Sequence, residues 1–130
     1  MPERFSRIMI TAAALLGLSG VIAGAMGAHA LESSLTPDQL DAFETAVRFQ
    51  MYHAFLLLGL ALLWRLAGPS PSLRVAGWAG LAGTVLFSGS IYLLVLSPLK
   101  PGLVTPLGGL VLMVAWSALV WWGVRVNLTR

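Results

Sequence analysis

Long apolar runs alternate with short polar breaks along this chain, and the pattern occurs four times. The runs are Ile8 to Ala28, Met51 to Leu66, Val75 to Leu96 and Leu107 to Val124. With their flanks, each approaches the roughly 20 residues that a helix needs to cross a bilayer. The breaks are tight: "GPSPS" at 68–72 and the proline-punctuated "SPLKPGLVTP" at 97–106. Only "LESSLTPDQLDAFETAVRFQ" departs from this alternation. Thr36-Pro37-Asp38-Gln39 reads as a helix start, with Thr36 as cap, Pro37 in the first turn and Gln39 completing a capping box. Leu40, Phe43 and Val47 then recur at helical spacing, while Asp38, Asp41, Glu44 and Arg48 fall off that face. Glu44 and Arg48 are spaced for an exposed ion pair. No breaker separates this stretch from the second run. A helix from Pro37 to Ala67 would reach about 46 Å, beyond a hydrocarbon core of about 30 Å. Its acidic first turns are therefore expected on the membrane surface.

The predicted fold is all-α: an integral membrane four-helix bundle, with helices at about 8–28, 49–67, 75–96 and 107–124. An amphipathic interfacial segment over 37–48 leads into the second, and residues 1–130 form a single transmembrane domain. Composition points the same way. Of 130 residues, 58% are hydrophobic and 10% charged, too little polarity to cover a soluble domain of this size. The chain has no cysteine, which excludes disulfides, thiolate metal sites and cysteine nucleophiles. Ala28-His29-Ala30 resembles a signal-peptide cleavage site, but the run before it exceeds the roughly 7–15 residues of such cores and reads as helix 1.

Eight Lys and Arg outnumber five Asp and Glu, yet they form no basic patch of the kind that binds nucleic acid. Their positions set topology instead. Arg4, Arg7, Arg65, Arg74, Arg125 and Arg130 fall at one end of the helices. Arg48 and Lys100 fall at the other, with Glu32, Asp38, Asp41 and Glu44. The positive-inside rule then places both termini in the cytoplasm and the acidic segment outside. Trp64, Trp78, Trp121 and Trp122, close to those arginines, are expected to form an aromatic belt, with Trp116 deeper and in need of a partner for its N–H.

Small residues recur every four positions in two helices: Gly20, Gly24 and Ala28 in helix 1, and Ala76, Gly80, Thr84 and Ser88 in helix 3. Such stripes permit close helix packing in lipid, within the molecule or in a homo-oligomer, and the intramolecular use is the one expected. The polar residues gather toward the outer side. His29 ends helix 1, Gln50 and His53 enter with helix 2, Ser88, Ser90 and Tyr92 lie in helix 3, and Thr105 caps helix 4. They are expected to meet in one layer near the outer interface, with His29 and His53 in a common pocket, because unpaired polar groups are costly in lipid. The cytoplasmic halves offer mainly Thr11 and Ser19.

Four stretches, "GAMGAHAL" at 24–31, "FETAVRFQMYHA" at 43–54, "LFSGSIYLL" at 86–94 and "TPLGGLVLMVAW" at 105–116, closely resemble a known family. These are the small inner-membrane proteins called domain of unknown function 423, relatives of eukaryotic transmembrane protein 256. The resemblance covers nearly the whole chain in order. It implies a four-helix inner-membrane protein without an assigned biochemical role, with His29, Gln50, His53, Ser88, Ser90 and Thr105 inside family motifs. The chain departs from the family at Met26, where phenylalanine is expected, and at Phe49, where tyrosine is expected.

The function expected from these residues is non-enzymatic: an accessory, scaffold or assembly component in the lipid bilayer, with a structural polar cluster that holds the bundle or docks a membrane partner. The alternative is a haem-, metal-, quinone- or lipid-binding protein using His29 and His53 as ligands. Met26 and Met51 make a copper(I) variant conceivable, but no carboxylate completes a harder metal site and none is assigned. A hydrolase built on Ser88 or Ser90 with His53 lacks a nucleophile elbow and an orienting acid. A small proton-coupled transporter lacks an acid within the membrane.

Overall fold

A computed structural model describes residues 2–128, and the regular secondary structure in it is entirely α-helical. The helices are α1 (Pro2–Ala28), α2 (Pro37–Ala67), α3 (Pro71–Leu96) and α4 (Val104–Arg125). All four are long and apolar enough to cross a membrane. Arg130, counted above among the cations of the terminal end, lies outside the described residues, as does Met1.

The helices outrun the apolar runs, and at α2 a polar cap sets the start. Gln39 N–H donates to Thr36 Oγ1 at 3.2 Å and Thr36 N–H donates to Gln39 Oε1 at 3.0 Å, completing the expected capping box. From there α2 is one uninterrupted rod of 31 residues, so the amphipathic segment and the second span share a helix. At about 1.5 Å per residue its first turns must project beyond the hydrocarbon. On that projecting face Arg48 donates to Thr45 Oγ1 at 3.2 Å, in place of the expected pair with Glu44. The rod stops at Gly68, whose φ of 92° suits only glycine and whose N–H still donates to Trp64 O. Pro69 and Pro71 then set the turn, and α3 starts four residues earlier than its apolar run.

Consecutive helices pack antiparallel: α1 on α2, α2 on α3, and α3 on α4. The start of α1, the end of α4 and the α2–α3 turn therefore lie at one end, called here the terminal end, with the two longer loops at the other, the loop end. Contact between α1 and α3 is slight, and among the described residues α1 and α4 share no close backbone approach. The row curls without closing. Phe5 and Met9 fit against Gly77 at the terminal end. Toward the loop end a cleft of about 450 Å³ separates Ile22 and Met26 of α1 from Tyr92 and Leu96 of α3.

Small residues set these spacings. A Cβ on Gly108 would stand 2.5 Å from Phe87 N, and one on Gly83 would stand 2.9 Å from Leu112 N, so α3 and α4 pack backbone to backbone. Ala76, Gly80, Thr84 and Ser88 are all buried, with Gly80 against Leu56 and Leu57. On α1, Gly20 faces Met51 and Gln50, and Gly24 faces Val47. The third position is Gly27 against Phe43; Ala28, expected in that stripe, is exposed. Three residues return a helix to nearly the same face as four do, and here the shorter step is taken.

Phe5, Met9, Leu57, Leu60, Trp64, Leu73 and Ala76 form a core at the terminal end. Trp64 is 2% exposed, its ring 4.1 Å from that of Phe5 and the Arg74 guanidinium 5.1 Å above it. It packs inside the protein instead of joining the aromatic belt. Trp78 and Trp121 remain exposed.

Candidate functional site

The polar residues form a ladder of ties between helices, running from the loop end down to mid-depth. Gln50, on α2 and 5% exposed, has a carboxamide in contact with both neighbouring helices. Its Nε2 donates to Leu16 O at 2.8 Å and to Ser19 Oγ at 2.7 Å. A backbone carbonyl can only accept, which fixes the amide nitrogen toward α1 and the oxygen toward α3. There Tyr92 Oη donates to Gln50 Oε1 at 2.7 Å. Ser19 in turn donates to Leu15 O at 2.7 Å. One side chain thus joins α1, α2 and α3.

His53 lies one turn further along α2, is 4% exposed, and reaches past α3 to α4. Its Nδ1 lies 2.6 Å from Phe49 O, which can only accept, so Nδ1 carries the proton. Trp116 Nε1–H can only donate, and it approaches His53 Nε2 at 3.1 Å. The ring is therefore a neutral Nδ1–H imidazole whose single in-plane lone pair is occupied. Phe49 stacks beside it at 6.1 Å, and the Trp116 ring meets it edge-on at 6.0 Å. Trp116 thus has the partner that its depth required.

The remaining rungs are hydroxyls. Ser88 Oγ donates to Ala46 O at 2.7 Å, tying α3 to α2. Ser90 donates to Phe87 O at 2.9 Å and shares a short hydrogen bond with Thr105, tying α3 to α4. Thr105 was expected to cap α4. The helix instead begins at Val104, which places the Thr105 hydroxyl within the first turn and turns it to Ser90. Thr84 donates to Gly80 O within its own helix. Among the described residues, no buried side-chain nitrogen or oxygen lacks a partner.

His29 does not join this set. It lies in the turn after α1, exposed, where its backbone N–H reaches back to Ala25 O and Met26 O. Its side chain makes no hydrogen bond among the described residues, whereas that of His53 is buried between Phe49 and Trp116. The layer also sits deeper than expected. Leu16 and Ser19 are just past the middle of α1, and Trp116 is near the middle of α4. Tyr92 joins the layer as expected, whereas Ser19 and Trp116 are partners not expected in it. A hydropathy pattern shows depth but not which polar groups meet across helices.

Four apolar helices stitched by internal hydrogen bonds define a polytopic membrane protein, and the comparisons agree. The chain belongs to the family described as Protein of unknown function (DUF423), which matches residues 23–109. It is 38% identical to UPF0382 membrane protein SH2409 of Staphylococcus haemolyticus, over 88% of this chain and 93% of the relative. It is 37% identical to UPF0382 membrane protein YwdK of Bacillus subtilis, over 88% and 94%. It is 34% identical to UPF0382 inner membrane protein YgdD of Escherichia coli, over 94% and 93%. No solved structure matches.

Proposed function

We propose that the protein is a non-catalytic component of the inner membrane, an accessory or assembly subunit whose buried polar residues fix helix register. The carrying observation is closure: every donor and acceptor of Gln50 and His53 is met by the protein's own helices. A haem iron or other metal needs an unoccupied imidazole lone pair, and Trp116 takes the one His53 has. Ser88 and Ser90 donate to Ala46 O and Phe87 O, which argues against a serine–histidine pair. Glu3, Glu32, Asp38, Asp41 and Glu44 all fall outside the apolar runs, which argues against proton-coupled transport. For topology, the arginines at the terminal end support both termini inside, and the Escherichia coli relative's name supports the inner membrane.

Purification in mild detergent tests this reading. Colourless protein without stoichiometric metal or quinone is expected, with thermal stability lowered in His53→Ala. A Soret band, bound metal or quinone that disappears in His53→Ala would overturn it. Labelling of Asp41→Cys from outside intact cells, with Asn127→Cys labelled only after permeabilisation, is the expected topology.

A further inference from the structure

Where α1 and α3 begin side by side at the terminal end, Arg4, Phe5, Ile8, Arg74 and Trp78 line a cavity of about 380 Å³. Two guanidinium groups share its rim, and among the described residues neither makes an ion pair. Glu3 is the only acid placed at this end by the sequence. The Arg74 guanidinium stacks 5.1 Å above the buried Trp64 ring, which orients it without neutralising it. Both helices also point their N-termini here, adding partial positive charge, and the Ser70 side chain makes no capping hydrogen bond to α3. Below the rim the wall turns apolar. Ile8 is shared with a second groove that starts at Arg7 and descends α1 past Thr11, Ala12 and Leu15.

We propose that this cavity binds the phosphate of an anionic phospholipid, with Arg4 and Arg74 on the headgroup and an acyl chain along the Ile8–Leu15 groove of α1. The inference goes beyond the accessory role and stands without it. Basic pockets between transmembrane helices suit anionic headgroups because paired guanidinium groups match phosphate oxygens while the stem of the lipid stays in hydrocarbon. Trp78, about one turn deeper than Arg74, sits at the level where indoles favour the headgroup boundary. A free phosphate would meet the same two arginines but would leave the apolar groove unused.

Thermal unfolding of the detergent-purified chain tests this, with phosphatidylglycerol, phosphatidylcholine or inorganic phosphate added. Phosphatidylglycerol is expected to raise the midpoint and phosphatidylcholine to leave it nearly unchanged. Each arginine removed should weaken the phosphatidylglycerol affinity roughly fivefold. Arg4→Gln makes no demand on the core, so it reads the site even if Arg74→Gln unfolds through Trp64. Arg65→Gln, at the same end but outside the cavity, should bind as the parent does. Equal stabilisation by both lipids, or a phosphatidylglycerol response unchanged in Arg4→Gln, would overturn the site. A full response to inorganic phosphate alone would overturn its assignment to a lipid.

Discussion

At the terminal end, Phe5, Met9, Trp64, Leu73 and Ala76 fill the space between three helices with aromatic and aliphatic surface. From mid-depth to the loop end, Gln50, His53, Ser88 and Ser90 span the gaps with hydrogen bonds instead. The difference matters because lipid tails are as apolar as leucine, so burying leucine against leucine hardly favours one helix neighbour over another. Packing at the terminal end supplies dispersion contacts that a disordered lipid chain fills less well. The hydrogen bonds add what packing lacks, a unique height and rotation. The Gln50 carboxamide reaches Leu16, Ser19 and Tyr92 only when α1 and α3 stand at one height beside α2.

The largest effect is expected in the terminal-end core. Trp64→Ala removes a fully buried ring from between Phe5 and Arg74 and should cost about 3 kcal/mol. Reversible unfolding with a denaturing detergent in mixed micelles would measure it. A loss below about 1 kcal/mol, no more than a single membrane hydrogen bond contributes, would erase the contrast between the two ends.

Gln50→Leu comes next. It preserves size and removes three interhelical bonds at once, for an expected loss of about 1–2 kcal/mol. Tyr92→Phe alone should cost about 0.6 kcal/mol, the average for a membrane hydrogen bond. Combining the two variants sharpens the comparison. Their costs should fall short of additive by about the strength of the shared bond. Strict additivity would mean that the Tyr92 hydroxyl contributes nothing through Gln50.

Which of these features the sequence exposes follows from what each depends on. Helix existence depends on run length, and the start of α2 depends on Thr36 and Gln39 three positions apart, so both are legible locally. The rotation of each helix is not. In a helix that is apolar all round, hydropathy carries no period that separates the lipid face from the protein face. Trp64 therefore looks like a belt residue beside Arg65 although it is buried, and Ala28 looks like the end of the small-residue stripe that Gly27 in fact completes. Ser19, read with the far half of its helix, stands just past the middle of α1 and pairs with Gln50 there. The polar residues of α2 and α3 stand out in the sequence because a buried polar side chain must be paired, but the partner's identity is a tertiary fact.

The two histidines set a tied polar side chain against an exposed one, and His29 carries the smallest predicted effect. His53→Leu leaves the Trp116 indole N–H without its acceptor while keeping an apolar side chain against Phe49, and should cost about 1 kcal/mol. His29→Ala removes an exposed side chain with no hydrogen bond and should change stability by less than about 0.5 kcal/mol. Nitrogen-15 NMR adds a readout independent of stability. His53 should show a protonated Nδ1 and a bare, hydrogen-bonded Nε2, and the Trp116 indole resonance should move in His53→Leu but not in His29→Ala. If the Trp116 signal ignored His53, the tie between α2 and α4 would be absent in the membrane. The mid-depth region would then rest on Gln50 and the serines, and α4 would be held by the Ser90–Thr105 hydrogen bond and its close packing on α3.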